Sequence, residues 1–272
     1  MDLGLSDKVV FISGGSKGLG LAAAWAFAKE NARVVIASRS LENLSRAKEQ
    51  LALEGLHVET IVADFKDVAS AQRAVEQTEQ LLGPVDVLIN SAGAAKLTPA
   101  EELDADSWRA GLDAKFFPYV NIQDAVLKSL RARAETDGSV PPPRHVGSII
   151  NIVGIGGRLP TDNHLAGGSA NAALLLSTLG LARYYAKYGI RINAINPGTT
   201  LTDRVEQSLK IAQQRLGITR EEALERGQLA TPMRRYGTAE EIANVALFLA
   251  SEQASYVVGA LIPVDGGQGG TF

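Results

Sequence analysis

A strand, a glycine-rich turn and a helix follow one another within residues 8–29, and no other stretch limits the fold as much. Lys8-Val9-Val10-Phe11-Ile12-Ser13 is apolar and β-branched, the composition of a strand covered on both faces. Gly14-Gly15-Ser16-Lys17-Gly18-Leu19-Gly20 comes directly after it, and the alanine-rich run 21–28 reads as a helix. Glycines between a strand and a helix let the backbone turn sharply and let a diphosphate approach main-chain N–H groups at the helix N-terminus. The motif alone is weak evidence, but flanked in this way it points to a dinucleotide site.

The same alternation continues along the chain. Strand-like runs at 33–37, 57–62, 85–89, 148–153, 190–195 and 260–264 are separated by helical patterns at 41–53, 68–82, 106–133, 165–188 and 238–250. This order predicts an α/β fold: one doubly wound, Rossmann-type parallel sheet of about seven strands, helices on both faces, and ligands at the carboxyl ends of the strands. No repeat or linker divides the chain, so residues 1–272 are expected to form a single domain. Two stretches break the rhythm. Residues 135–144 are polar and proline-rich and read as an exposed spacer loop. Residues 199–236 form a helical excursion at the ligand edge of the sheet, expected to be a lid over a substrate cleft.

Composition removes several function classes. A net charge of −3 without basic clusters argues against nucleic-acid binding. The absence of cysteine excludes disulfides, thiolate catalysis and cysteine-based metal sites, and the three histidines, His57, His145 and His164, lack ligand spacing, so no metal is expected. No apolar span long enough for a membrane stands out, and the N-terminus enters directly into strand chemistry, so a cytoplasmic protein is expected.

Together these pieces resemble the short-chain dehydrogenase/reductase family over nearly the whole chain. The family's Thr-Gly-x-x-x-Gly-x-Gly turn appears as Ser13-Gly14-Gly15-Ser16-Lys17-Gly18-Leu19-Gly20. Its adenine-contacting aspartate matches Asp64, followed by Phe65, and its Asn-Asn-Ala-Gly segment appears as Asn90-Ser91-Ala92-Gly93. Asn193-Ala194-Ile195-Asn196-Pro197-Gly198 matches the segment after the sixth strand, and Val264-Asp265-Gly266-Gly267 is a typical ending. The resemblance further implies that Thr200 and Thr202 serve the nicotinamide carboxamide. It also implies a homodimer or homotetramer built through the two long helices after strands four and five.

Cofactor preference has a physical argument of its own. Sites for NAD place an acid at the end of the second strand to hold the ribose 2′-hydroxyl. Here Ser38 stands there, with Arg39 beside it and Lys17 in the turn. Two cations and a hydroxyl suit a 2′-phosphate, which favours NADP(H) over NAD(H).

The family's catalytic positions are where this chain departs. The usual Ser falls on Gly154; the usual Tyr, thirteen residues later, on Gly167; and the usual Lys, four further on, on Asn171, a register also fixed by the following Ala172-Ala173-Leu174. The usual Asn, seven residues after Trp108, falls on Lys115. Lysine and asparagine have thus exchanged positions. His164 precedes Asn171 by seven residues, the spacing of the wider Tyr-x6-Lys pattern of the superfamily's enoyl reductases, and an imidazole titrates near neutrality. The expected site therefore has His164 as acid/base, Lys115 stabilising an oxyanion, and Asn171 holding the ribose or a relay water. Ser169 and Asp162 are reserve candidates. The pairs Gly156-Gly157 and Gly167-Gly168 are expected to leave room for a bulky, apolar small-molecule substrate. The leading expectation is an NADP(H)-dependent oxidoreductase acting on a carbonyl or alcohol. The alternatives are a degenerate nucleotide-binding homologue, or a lyase or isomerase using the same cleft.

Overall fold

The computed structural model describes residues 2–93, 95–137 and 145–269, so most of the proline-rich loop expected at 135–144 lies outside the described residues. Seven parallel strands, β1 (Val9–Ser13), β2 (Arg33–Ser38), β3 (Val58–Val62), β4 (Val87–Asn90), β5 (Gly147–Ile152), β6 (Ile190–Pro197) and β7 (Leu261–Val264), form one sheet in the order β3-β2-β1-β4-β5-β6-β7. The chain starts in the middle, builds outward to β3, then returns to place β4 on the other side of β1. That reversal opens a crevice at the carboxyl ends of β1 and β4, where Ser13 pairs with Asn90.

Alternation along each strand divides the interior into two layers. Val10 and Ile12 of β1 face helices α1 (Gly18–Lys29), α2 (Leu41–Ala52) and α8 (Ala239–Ala250), packing with Phe27, Leu44 and Leu249. Val9 and Phe11 face the other way, toward α3 (Val68–Leu82), α4 (Ala105–Asp137) and α5 (Leu165–Tyr185), among Val75, Ile122 and Val126. With both faces covered, the strands carry apolar residues at nearly every position.

The long helix α4 runs through Pro118. Proline cannot donate to the carbonyl four residues earlier, that of Ala114. Gly93, at φ +90°, packs against that same carbonyl so closely that a Cβ would overlap it. The glycine after β4 thus seats the crevice loop on the carbonyl that Pro118 leaves without its helical donor.

Helix α5 corrects one expectation: with its following turn, Leu165–Tyr188, it is long and apolar enough to cross a membrane by length and composition. Half of it is buried within the fold, however, as befits a core helix. The excursion at 199–236 contains α6 (Asp203–Leu216) and α7 (Arg220–Leu229), the latter opened by a capping box between Thr219 and Glu222. The two helices share a small core of Val205, Leu209, Ala223 and Tyr236 and are anchored by a bridge between Thr200 and Gly237. Beneath α8, Arg191 of β6 is buried and donates to the carbonyls of Leu249, Ala250 and Ser251 at 2.7–3.2 Å, closing that helix's C-terminus.

Candidate active site

The glycine turn is close-packed. A Cβ on Gly14 would lie 2.8 Å from Ala92 Cα, and one on Gly20 would overlap the carbonyl of Gly14. Gly14 and Gly18 have φ of +70° and +53°, which glycine adopts without strain. Lys17 is the N-cap of α1 and offers no side-chain hydrogen bond, which leaves the first-turn N–H groups for an incoming anion. Thr202 lies over Gly18, its Cγ2 3.6 Å from where a Cβ would stand, so the excursion at 199–236 begins above the turn. Ser16 and Leu19 are half-buried on either side of the exposed Lys17.

At the end of β2, Ser38 is half-buried and Arg39 exposed. Asp64 is exposed, its carboxylate accepting from Lys66 N at 3.1 Å, whereas the Phe65 ring is buried edge-to-face against Phe11. The Asn90 amide is fully buried: Oδ1 accepts from Ser13 Oγ at 2.7 Å and Nδ2 donates to the carbonyl of Tyr119 at 3.0 Å. It braces β1, β4 and α4. Ala92 is buried, Thr200 donates to the carbonyl of Gly198 at 3.1 Å, and Pro197 ends β6.

Four side chains converge beyond the carboxyl end of β5. Lys115 does not extend to solvent: it is 9% exposed, and Nζ donates to Tyr119 Oη at 2.7 Å and to the carbonyl of Ile152 at 3.3 Å. Burial, followed by the charge of Arg204, lowers its pKa from 10.5 to about 7. Tyr119 Oη donates to the same Ile152 carbonyl, and burial pushes its pKa up. His164 is the N-cap of α5 and turns inward: a Cβ on Gly167 would overlap its Cε1 and lie 2.7 Å from its Nδ1. Burial, then Arg204 and Lys115, hold its pKa below the ordinary imidazole value. Asn171 is buried, its Oδ1 has no partner among the described residues, and its Nδ2 lies 3.4 Å from the Cβ positions of both Gly154 and Gly156. His164 Nε2 lies 3.5 Å from the latter point, so imidazole and amide border one small volume.

The expected glycine-lined room beside the site is present but reduced by close packing. Gly157 packs on α5, where a Cβ would meet Ala172 N at 2.9 Å; Gly168 packs on the Gly156 carbonyl at 2.7 Å; and the space at Gly167 holds His164. What remains is an open groove of about 230 Å³ lined by Gly156, Gly157, Arg158, Pro160, His164, Leu165, Gly168, Ser169 and Ala172. Ser169 is exposed on its wall and Asp162 is exposed.

Residues 14–268 match the family model described as enoyl-(acyl carrier protein) reductase. The chain belongs to the short-chain dehydrogenase/reductase family. It is 31% identical over 265 residues to the NADPH-dependent reductase BacG of Bacillus subtilis (strain 168), covering 97% of this chain and 98% of the relative. It is 33% identical over 278 residues to levodione reductase of Leifsonia aquatica, covering 98% and 96%. Among solved structures, the L-sorbose reductase of Gluconobacter frateurii complexed with NADPH and L-sorbose superposes with a TM-score of 0.89 at 31% identity, covering 100% of both chains.

Two residues of the site escaped the sequence reading of this family member. Tyr119 stands one helical turn beyond Lys115, a four-residue spacing that places both on one face of α4. Arg204, in the first turn of α6, reaches back across the crevice, where Nη2 donates to the carbonyl of Ala95 at 3.4 Å. Its only sequence signal is its position two residues after Thr202.

Proposed function

We propose that this short-chain dehydrogenase/reductase is an NADP(H)-dependent oxidoreductase that interconverts a carbonyl and an alcohol with a rebuilt proton-delivery site. The observation that carries the reading is the fit between His164 and Gly167: the imidazole fills the volume a tyrosine side chain at that position would enter. Replacement by an interlocking group supports retained chemistry, whereas drift in an unused cleft would leave holes.

The turn 14–20 fits a dinucleotide, because its cramped glycines and uncapped α1 N-terminus form a cradle a diphosphate would occupy. Lys17, Ser38 and Arg39 would hold a 2′-phosphate and Asp64 the adenine, while Thr200, Thr202 and the main chain at Gly93 and Gly198 would border the nicotinamide. Asn90 and Phe65 act through packing, since their side chains are committed to the interior. When bound, NADPH supplies the hydride.

The chain's own residues manage the proton. Lys115, with its pKa lowered to about 7, is divided between ammonium and amine near neutral pH, the condition under which a group gives and takes a proton most effectively. His164, surrounded by Arg204 and Lys115, stays neutral at that pH and acts as a hydrogen-bond partner for the substrate oxygen. This reverses the division of labour expected from sequence, because burial first, and then the charges of Arg204 and Lys115, penalise an imidazolium. Asn171 holds the ribose or a relay water through the amide oxygen that lacks a partner in the protein. Exposed Phe117, Leu176 and Leu179 on α4 and α5 support a dimer through those helices.

The test is stopped-flow oxidation of NADPH by a panel of ketones, followed at the nicotinamide absorbance band. Turnover supports the reading. Tight NADPH binding without turnover of any ketone would instead mark a degenerate nucleotide-binding homologue.

A further inference from the structure

We propose that the substrate of this cleft carries a carboxylate, held by Arg204 at the lid's entrance. The inference rests on the oxidoreductase reading above and narrows its substrate class.

Arg204 of α6, Lys115 of α4 and His164 at the start of α5 bring basic groups to one crevice from three separate elements. Among the described residues, none of the three has a carboxylate within ion-pair distance, although ion pairs form at eleven contacts elsewhere. The chain as a whole is acidic at −3, so this local excess is not a by-product of a basic protein. Bringing basic groups together where burial already disfavours charge is costly unless an anion completes the site. After burial, the charge of Arg204 is the next cause lowering the pKa of both Lys115 and His164, and among the described residues no acidic group offsets it at either.

Of the three, Arg204 is the one built to receive the ligand. Lys115 is buried and already bonded to Tyr119 and Ile152. Arg204 is exposed enough to be reached, and its guanidinium makes one hydrogen bond among the described residues, to the carbonyl of Ala95. The remaining N–H groups of that planar fork match the two oxygens of a carboxylate. A neutral ketone would leave them unpaired. Because Arg204 lies on the lid and Ala95 follows β4, a carboxylate bound there would also strengthen closure across the crevice.

The experiment compares keto acids with their methyl esters (acetoacetate, levulinate and benzoylformate), measuring kcat/KM with NADPH for the wild type, Arg204→Gln and Arg204→Lys. An acid-to-ester ratio of about 30 or more in the wild type is expected, falling to about 3 or less in Arg204→Gln and lying between in Arg204→Lys. Calorimetric titration of benzoate into the enzyme–NADPH complex gives a readout independent of turnover, with binding expected in the wild type and lost in Arg204→Gln. Esters reduced as well as acids would overturn the carboxylate inference while leaving the redox reading intact. Arg204-dependent benzoate binding without turnover of any ketone would do the reverse. A fall in NADPH affinity in Arg204→Gln as large as the fall in acid kcat/KM would overturn it too, since the arginine would then serve the cofactor. Absence of both turnover and benzoate binding would overturn both.

Discussion

The imidazole of His164 lies where a side chain on Gly167 would have to go, with Nδ1 2.7 Å from the position of the missing Cβ. The two residues are therefore one device. The histidine can turn inward from the start of α5 only because the residue three positions later has no side chain. Its Nδ1 is buried there with no partner among the described residues, an arrangement that costs free energy unless a ligand or water completes it.

Substitution Gly167→Ala should expel the ring. The added methyl overlaps Cε1, and the cheapest escape is rotation of His164 toward solvent. The expected result is a kcat lowered by about tenfold or more with NADPH affinity within about twofold of wild type. Steady-state kinetics and fluorescence titration check it; an unchanged kcat would separate His164 from the chemistry.

Removal of either proton-handling side chain should have a larger effect. Lys115→Ala and His164→Ala are each expected to lower kcat by on the order of 10²-fold, again with little change in cofactor affinity. A double variant little worse than either single variant would indicate that the two act as a unit.

Lys115 also makes a pH prediction with a definite sign. Its pKa is about 7 in the folded protein against an ordinary 10.5. Between those values the unfolded chain binds a proton that the folded chain does not, so this group's contribution makes stability rise with pH across that window. Below it both states are protonated and the burial cost is felt in full. Lys115→Met should therefore be more stable than wild type at about pH 6, with the gap closing toward about pH 10, as read from denaturant midpoints. Carbonyl reduction by the wild type should fall as pH climbs through about 7, because the donor ammonium is lost.

Arg39→Ala should weaken NADPH much more than NADH, by about tenfold or more in the ratio of dissociation constants. Arg39 is exposed beside Ser38 at the end of β2, where the chain offers no acid to a ribose hydroxyl. Equal losses for both cofactors would show that Arg39 does not meet the 2′-phosphate.

Arg191→Met tests the scaffold apart from the site. The guanidinium satisfies three carbonyls at the end of α8 from a buried position in β6. Removing it strands those acceptors and should cost about 3 kcal/mol in urea unfolding.

Much of the molecule is written locally in the chain. Strand–helix alternation, the glycine turn at 14–20 and the run Asn90-Ser91-Ala92-Gly93 determine a parallel sheet with its crevice beside β1, because periodicity and turn chemistry are properties of neighbouring residues. The positions of Lys115 and Asn171 on two different helices were equally legible in the sequence. Tertiary structure alone decided what those residues touch. It showed that Gly157, Gly167 and Gly168 serve close packing as well as bordering a small groove, since only the approach of the loop after β5 to α5 brings a carbonyl or an imidazole onto them. It also brought Arg204 to Lys115 and His164 across 40 to 89 positions of sequence, where burial and then its charge lower the pKa of both. Burial and charge act through space, and separation along the chain carries no record of either.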